Sequence, residues 1–525
     1  MAIGAIIITG LLGIVIYPTV IFGWHAPEFG YLAWIYLIPL FIALFSLKGT
    51  KRFFGSFVSA LIFYLGSLYW LVPAMKNFGG LSLWESCGVL FLVTLILAFY
   101  FAVASSLALR VHERTGIPFF LSAAVFLMAG DFLRTWFPVN GFPWSMPAYS
   151  QGTFLSLFQW VDITGVYGLN ILIYLVNGLL AEMIMAFRGR GEKDHLLNRF
   201  VVFALLGMIS FFGNYGRQRG VENDISAGAT VRIALVQGNI GQEMKWDPKK
   251  AMEHLRRYLS LSDRAVADGA DLVIWPETAY PYTVDLSTLS SKPAFDREGL
   301  PVPILFGAVG EMPTADDEAP APVAPPLIYN SAFLAERDAR IRQAYHKQHL
   351  VPFGEYIPMK KWLTFARSLT TAVGDMTPGD KFILLETGPL KIGTLICYED
   401  IFPDIARGFA KTGANLLVNL TNDAWYGDSS AQHQHLVFSQ FRALETRRYL
   451  LRATNTGVTA VINPQGEVLY HLRPFTEDIL LKGAALSDDK TLYIILGDFV
   501  GWGAAIFSVA VLFVSLFKGR TLEEE

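Results

Sequence analysis

The sequence predicts a polytopic α-helical membrane protein that carries one α/β domain outside the membrane. Three observations support this prediction. First, 53% of the 525 residues are hydrophobic and only 17% are charged, whereas a soluble domain is about 25% charged. Second, the apolar residues are concentrated before position 215 and after position 495. Third, short β-branched runs alternate with helical stretches between these regions, which is typical of α/β domains.

Eight stretches are apolar enough to cross a bilayer as helices, which takes about 20 residues each. They lie near 3–22, 30–47, 54–73, 86–109, 117–136, 164–187, 200–215 and 500–517. We therefore expect a seven-helix membrane domain at 1–220, an outer domain at 225–490, and an eighth transmembrane helix with a cytoplasmic tail at 495–525. The net charge of −3 gives no indication of a nucleic-acid partner.

The loop charges predict the orientation, because cytoplasmic loops carry an excess of Lys and Arg. The loops after the second, fourth and sixth stretches are basic, and they contain Lys48, Lys51, Arg52, Arg110, Arg114, Arg188, Arg190, Lys193 and Arg199. The alternate loops at 23–29 and 137–163 have no Lys or Arg. Both termini should therefore be cytoplasmic, and the α/β domain should lie outside.

Asp131 and Arg134 are charged residues near the outer end of the fifth stretch. At a spacing of three they can pair on one helix face. Charge within a membrane can indicate function, but near an interface a structural ion pair is equally consistent with the pattern. Of the two cysteines, Cys87 fits a packing residue in an apolar helix, and an unpaired Cys397 in an exported domain indicates a reactive thiol.

Three polar residues follow strands of the outer domain. Glu277 stands in WPET, Lys347 in HKQHLVPFGEY and Cys397 in CYED. A Cys nucleophile needs activation, which a carboxylate can supply as a base, and an ammonium can stabilise the oxyanion that forms. Each residue alone also fits an ordinary role: a turn residue, a solvated charge and a packing cysteine.

These three motifs, in this order, resemble those of the nitrilase superfamily, and TNDAWYG (421–427) and RATNTG (452–457) are also similar to it. Together with the eight apolar stretches, the whole chain resembles the apolipoprotein N-acyltransferase family, the membrane-bound branch of that superfamily. The segments VQGNIGQEMKW (236–246) and GFPW (141–144) are similar to that family too.

The resemblance implies an αββα sandwich and a two-step acyl transfer in a bacterial inner membrane, with the catalytic domain in the periplasm. Cys397 would take an acyl chain from the sn-1 position of a phospholipid as a thioester. Glu277 would act as general base, and Lys347 would stabilise the oxyanion together with a backbone N–H near Tyr398. The acceptor would be the α-amino group of the N-terminal diacylglyceryl-cysteine of an apolipoprotein. We expect no cofactor, no metal and a monomer.

Four further positions are implied by the resemblance: Trp246, Glu355, Tyr398 and Glu399. Trp246 would be a gate or an acyl-chain contact, with a core tryptophan as the alternative. Glu355 would orient Lys347 or assist proton transfer, with a structural salt bridge as the alternative. Tyr398 and Glu399 would shape the turn that carries the nucleophile, with ordinary packing as the alternative.

The segment 356–373 mixes apolar and basic residues and predicts an interfacial arm over the site, or an ordinary packed helix. The spacings of His346, His349, His433 and His435 do not favour a metal site, because no acid stands nearby at ligand spacing. Two other functions stay open: a membrane-tethered amidase of small amides, and a transporter or receptor with an inactive outer domain. The few polar residues in the apolar stretches do not favour a transporter.

Overall fold

The structure is a computed structural model. It describes residues 1–21, 23–26, 29–189, 196–227, 230–289, 294–295, 299–313, 325–358 and 375–521. The predicted arm at 356–373 and the Pro- and acid-rich segment 313–326 lie largely outside these residues.

The N-terminal region is helical, and one long helix closes the chain. The helices of these two regions are α1 (Ala2–Val15), α2 (Ile38–Ser46), α3 (Thr50–Ser67), α4 (Leu71–Phe78), α5 (Leu83–Thr115), α6 (Phe119–Leu133), α7 (Val161–Phe187), α8 (Leu196–Ala227), α13 (Leu492–Leu496) and α14 (Phe499–Thr521). A short hairpin of β1 (Val20–Ile21) and β2 (Trp24–His25) follows α1. Two 3-10 helices, Gly30–Trp34 and Pro147–Leu157, complete this part.

Each of the eight apolar stretches overlaps with an α-helix, but only some of these helices are long enough to span a membrane. Within the described residues, Leu83–Thr115, Val161–Phe187 and Phe499–Phe517 meet that length and composition, and α3 with α4 could form a fourth span bent by 50°. Shorter apolar helices occupy Ala2–Val15, Gly30–Ser46, Phe119–Leu133 and Arg199–Tyr215. The apolar helices agree with a membrane protein, and the eight crossings stay a prediction.

The outer domain contains thirteen strands and four α-helices within the described residues. The strands are β3 (Thr230–Gln237), β4 (Leu272–Ile274), β5 (Val284–Asp285), β6 (Ile304–Met312), β7 (Leu327–Ala335), β8 (Ile341–His346), β9 (Leu385–Thr387), β10 (Leu390–Ile396), β11 (Leu416–Thr421), β12 (Leu450–Thr454), β13 (Ala460–Ile462), β14 (Val468–His471) and β15 (Asp478–Ala485). The helices are α9 (Gln242–Lys245), α10 (Ala251–Ala267), α11 (Pro403–Thr412) and α12 (Ser430–Thr446). The 3-10 helices Cys397–Ile401 and Asp423–Tyr426 follow β10 and β11.

The strands form two mixed sheets. One has the order β15-β3-β4-β6-β7-β8, with β5 beside β6, and the other has the order β14-β13-β12-β11-β10-β9. Alternate residues of β3 point to opposite sides, as a strand requires: Ile233 and Leu235 join the core shared with the second sheet. Ala234 and Val236 pack instead against α10.

Helices α11 and α12 cover the outer side of the second sheet. Phe409 of α11 and Phe441 of α12 belong to the core that also contains the side chains of β10 and β11. The order of layers is therefore helix, sheet, sheet, helix, which is the αββα arrangement that the sequence resemblance implied.

Hydrogen bonds and ion pairs join the outer domain to the helical region through α12 and the residues that follow it. Arg447 Nε lies 3.0 Å from Asp162 Oδ2, and Val166 N donates to Glu445 Oε1 at 2.8 Å. These contacts are buried, so the position of the outer domain on the helices is fixed by specific polar pairs as well as by apolar packing.

Candidate active site

The nucleophile candidate Cys397 lies directly after β10, at the first residue of a 3-10 helix. Its φ is +50°, in the left-handed region that side chains other than glycine rarely occupy. Strained backbone of this kind costs about 1–3 kcal/mol and is maintained only where neighbouring groups hold it. Cys397 is 7% exposed, so a substrate carbonyl would reach it in a site largely protected from water.

Glu277 and Lys347 follow strands of the other sheet. Lys347 comes immediately after β8, and Glu277 lies three residues beyond the end of β4. The Lys347 ammonium lies 3.7 Å from Glu277 Oε1 and donates to Glu355 Oε1 at 2.9 Å. The structure therefore brings together Glu277, Lys347 and Glu355, which the sequence separates by up to 78 positions.

The Lys347 side chain is 1% exposed. Burial opposes its charge, but the carboxylates of Glu355 and Glu277 outweigh that effect and raise the pKa of Lys347 above its ordinary value. Lys347 is consequently a cation at neutral pH. A fixed ammonium in a water-poor site is well suited to stabilise a developing oxyanion.

Asn330 of β7 joins the two carboxylates. Its Nδ2 donates to Glu277 Oε1 at 2.8 Å and to Glu355 Oε1 at 2.7 Å. The backbone N–H of Asn422 donates to Glu277 Oε2 at 3.1 Å. Both oxygens of Glu277 are therefore oriented by neutral donors, which fixes the position of this carboxylate.

The Cys397 thiol is protonated at rest. Burial and the neighbouring Glu277 carboxylate raise the pKa of Cys397, while Lys347 and a hydrogen bond with Thr421 act in the opposite direction without outweighing them. A protonated thiol attacks well only when a base takes its proton. Glu277, whose carboxylate acts on the Cys397 thiol, is a candidate for that base.

Glu399 holds the nucleophile turn from inside. Its Oε2 accepts from Ile396 N at 2.8 Å, and its Oε1 accepts from Tyr345 Oη at 2.8 Å and from Gln348 N at 2.6 Å. Burial raises the pKa of Glu399 to about 7. The side chain thus ties the residue before Cys397 to the residue after Lys347.

Tyr398 reaches the helical region. Its hydroxyl donates to the carbonyl of Gly141 at 3.3 Å, within the GFPW segment. Arg134 holds the same segment, because its Nη1 donates to the carbonyls of Phe142 and Trp144 at 2.8 and 2.6 Å. Asp131 Oδ1 accepts from Arg134 Nε at 2.8 Å, so this buried ion pair shapes the loop beside the nucleophile turn.

Trp246 is 41% exposed and is therefore not the core tryptophan of the alternative interpretation. The neighbouring Lys245 is buried and donates from Nζ to the backbone carbonyl of Glu277 at 3.0 Å. Burial lowers the pKa of Lys245 to about 8. We did not single out Lys245 or Asn330 from the sequence. The only available signal was their place in the VQGNIGQEMKW segment and in the strand YNSAFLA.

Folding brings His435 next to two acids that are distant from it in the sequence. Its ring nitrogens lie 2.8 Å from Asp400 Oδ1 and 3.0 Å from Asp423 Oδ1. Arg452 pairs with both of these carboxylates. Over the part of the chain that is described, no group of three or more His, Cys, Asp or Glu residues could hold a metal ion.

The two-sheet sandwich and its Glu, Lys and Cys residues define a carbon–nitrogen hydrolase domain joined to apolar helices. A family model described as carbon-nitrogen hydrolase matches residues 232–488. A second model, the apolipoprotein N-acyltransferase N-terminal domain, matches residues 13–179.

Two relatives align with nearly the whole chain. An apolipoprotein N-acyltransferase of Geobacter metallireducens is 36% identical and aligns over 95% of this chain and 94% of its own length. One of Chromobacterium violaceum is 31% identical over 91% of this chain and 89% of its own length. The chain belongs to the apolipoprotein N-acyltransferase family. Among solved structures, a nitrilase-superfamily amidase of Nesterenkonia is 21% identical and covers 52% of this chain and 94% of its own, with a TM-score of 0.35.

Proposed function

We propose that this protein transfers an acyl chain from the sn-1 position of a phospholipid to the α-amino group of the N-terminal diacylglyceryl-cysteine of apolipoproteins. The transfer would pass through a thioester on Cys397. The observation that carries this proposal is the Lys347 ammonium, which lies between the carboxylates of Glu277 and Glu355 in a domain that is bonded to membrane-type helices.

In the first step, the Cys397 sulfur attacks the ester carbonyl while its proton passes to Glu277. The oxyanion of the tetrahedral intermediate is stabilised by Lys347 and by a backbone N–H near Tyr398. The bond between the carbonyl carbon and the glycerol oxygen then breaks. The proton on Glu277 passes to that oxygen, a lysophospholipid leaves, and the acyl chain remains as a thioester.

In the second step, the acceptor amine attacks the thioester carbonyl and gives a proton to Glu277. The carbon–sulfur bond breaks as an amide forms, and the sulfur recovers its proton from Glu277. The enzyme returns to its initial state, so the two half-reactions should follow ping-pong kinetics. Glu355 would hold Lys347 in place in both steps, and Glu399 would hold the Cys397 turn.

We further propose that the protein lies in a bacterial inner membrane as a monomer with eight crossings, with both termini cytoplasmic and the catalytic domain periplasmic. The basic loops after the second, fourth and sixth apolar stretches support this orientation. Phospholipid and lipoprotein substrates would then reach the site from the outer leaflet.

The proposal can be tested by reconstituting the purified protein with a phospholipid and a synthetic diacylglyceryl-cysteine peptide. We expect the peptide to gain one long acyl chain as an amide and the phospholipid to become a lysophospholipid. Glu277→Gln and Cys397→Ala should abolish both changes. Release of free fatty acid or turnover of small amides, with no acylated peptide, would instead favour the tethered amidase.

A further inference from the structure

Arg452 is a fully buried cation behind the nucleophile turn, in the RATNTG segment. It lies in the middle of β12 and pairs in register with Asn419 of β11, which in turn pairs with Leu395 of β10. Cys397 follows Leu395 by two residues. Arg452 is 0% exposed, and the two catalytic steps proposed above assign it no role.

The Arg452 guanidinium binds several side chains around it. Its Nη1 donates to Asn419 Oδ1 at 2.7 Å, to Asp400 Oδ2 at 3.0 Å and to Ser439 Oγ at 3.2 Å. Its Nη2 lies 2.9 Å from Asp423 Oδ2 and 2.9 Å from His435 Nδ1. One side chain therefore joins β11, α12 and the two 3-10 helices that follow β10 and β11.

Each of three partners acts on Cys397 in a different way. Asn419 Nδ2 donates to the carbonyl of Cys397 at 3.1 Å. Asp400 lies in the same 3-10 helix as Cys397. Asp423 Oδ1 accepts from Thr421 Oγ1 at 3.2 Å, and Thr421 also shares a hydrogen bond with the thiol. Arg452 thus contacts Asn419, which holds the backbone of Cys397, and Asp400, which lies in the same 3-10 helix. It also contacts Asp423, which is connected to the sulfur through Thr421.

The charges in this cluster must compensate one another, because Asp400, Asp423, Arg452 and His435 are all buried. Burial lowers the pKa of His435, and the carboxylates of Asp400 and Asp423 together raise it, with a net increase. Removing the Arg452 charge would leave two buried carboxylates without the guanidinium that pairs with both of them. The guanidinium therefore compensates their negative charge behind Cys397 while it holds the turn.

We propose that Arg452 is a positioning residue that keeps Cys397 in its left-handed conformation and its sulfur in line for attack. This inference deepens the proposed function and rests on Cys397 being the nucleophile. A lysine cannot replace the arginine, because its single nitrogen cannot reach Asn419, Asp400 and Asp423 with the same fixed geometry. A displacement of about 1 Å at a reacting group costs about 100-fold in rate.

The test compares Arg452→Lys with Arg448→Lys. Arg448 is also buried and lies in the same domain, but it donates to the backbone carbonyls of Ala414 and Thr446. Two rates would be measured on folded protein in detergent, in a Cys87→Ser background because Cys87 is an exposed free cysteine. They are the alkylation of Cys397 by iodoacetamide, followed by intact mass, and phospholipid-dependent acyl transfer. We expect Arg452→Lys to lower kcat at least 10-fold and to leave the KM for phospholipid unchanged. Cys397 should also be alkylated more slowly in Arg452→Lys than in Arg448→Lys, when the two variants are compared at an equal loss of melting temperature.

A second variant covers the case in which Arg452→Lys does not fold. Asn419→Leu has a side chain of similar branched shape and removes both the acceptor of Arg452 and the N–H that holds the Cys397 carbonyl, without adding a charge to the buried cluster. It should show the same loss of kcat. Equal alkylation and equal kcat in the Arg452 and Arg448 variants, or an unchanged kcat in Asn419→Leu, would overturn the inference. Alkylation does not depend on phospholipid, so a wild-type protein that forms no thioester would refute the proposed function and leave the positioning result readable.

Discussion

Replacing Glu355 with Gln removes one of the two carboxylates that hold the Lys347 ammonium, with almost no change in shape. In the native protein, Glu355 Oε1 accepts from Lys347 Nζ at 2.9 Å and from Asn330 Nδ2 at 2.7 Å. The other oxygen accepts from Val351 N at 2.7 Å. A glutamine has one acceptor oxygen, so either the Lys347 contact or the Val351 contact must be lost.

The magnitude follows from the kind of bond that is lost. A hydrogen bond that involves a charged group contributes about 1.5–3 kcal/mol. The pKa of Lys347 is raised above its ordinary value of 10.5, so the stabilisation is fully present at pH 7–8 and is lost only as the pH rises through the higher folded value. We expect Glu355→Gln to lower the free energy of unfolding at pH 7.5 by about 1.5–3 kcal/mol.

The same energy limits the kinetic effect. If the lost hydrogen bond stabilises the transition state by its full value of about 1.5–3 kcal/mol, its removal slows thioester formation by about 10- to 150-fold. The assay measures the initial rate of phospholipid-dependent acylation of the protein by intact mass. A thermal unfolding curve of the same variant measures its stability. Glu113→Gln is the control, because Glu113 pairs with Arg52 at 2.6 Å and its side chain is 49% exposed, and such a pair contributes about 0–1 kcal/mol.

A Glu355→Gln protein that acylates at the wild-type rate would show that Lys347 needs no second carboxylate, which contradicts this prediction. Loss of stability without loss of rate would assign Glu355 to the structural salt bridge that the sequence left open as an alternative.

Two further predictions concern Glu399 and Trp246. Burial raises the pKa of Glu399 from an ordinary value of 4.5 to about 7, so the folded protein resists its ionisation more than the unfolded chain does. The wild type should therefore lose stability relative to Glu399→Gln as the pH rises from 4.5 to about 7, measured by thermal unfolding at each pH; a constant difference would contradict this. Trp246 is 41% exposed, so Trp246→Ala should change stability by less than about 1 kcal/mol while acyl transfer falls several-fold, and Trp246→Phe should retain more of the rate. Equal activity of both Trp246 variants and the wild type would remove Trp246 from the site.

The sequence was sufficient to place Glu277, Lys347 and Cys397 after strands, because a buried apolar run that ends in a polar residue is visible in one dimension. Their catalytic roles came from the resemblance and stay predictions. It could not predict Asn330, because this residue lies within a strand and its sequence neighbours do not indicate which groups its amide will contact. Asn330 becomes meaningful only when β7 pairs with β8 and brings it next to Lys347. Arg452 was missed for the same reason, since its partners come from β11, α12 and two helical turns.

The apolar stretches were predicted correctly as helical regions but not as regular helices. Hydropathy measures how apolar a segment is and contains little information about where its backbone bends. The stretch 54–73 divides into α3 and α4 with a bend of 50°, and the stretch 30–47 contains a 3-10 helix before α2. The number of crossings therefore needs a measurement of topology, such as reporter fusions to the loops at 47–49 and 79–82.

A thioester on Cys397 is tested most directly by an intact mass of the purified protein after incubation with a phospholipid, repeated with Cys397→Ser. We expect the wild type to gain the mass of one long acyl chain and to lose it again in hydroxylamine. The Cys397→Ser variant should show no adduct that hydroxylamine removes. No adduct on folded wild-type protein with several phospholipids, or a hydroxylamine-sensitive adduct that persists in Cys397→Ser, would contradict a thioester on Cys397.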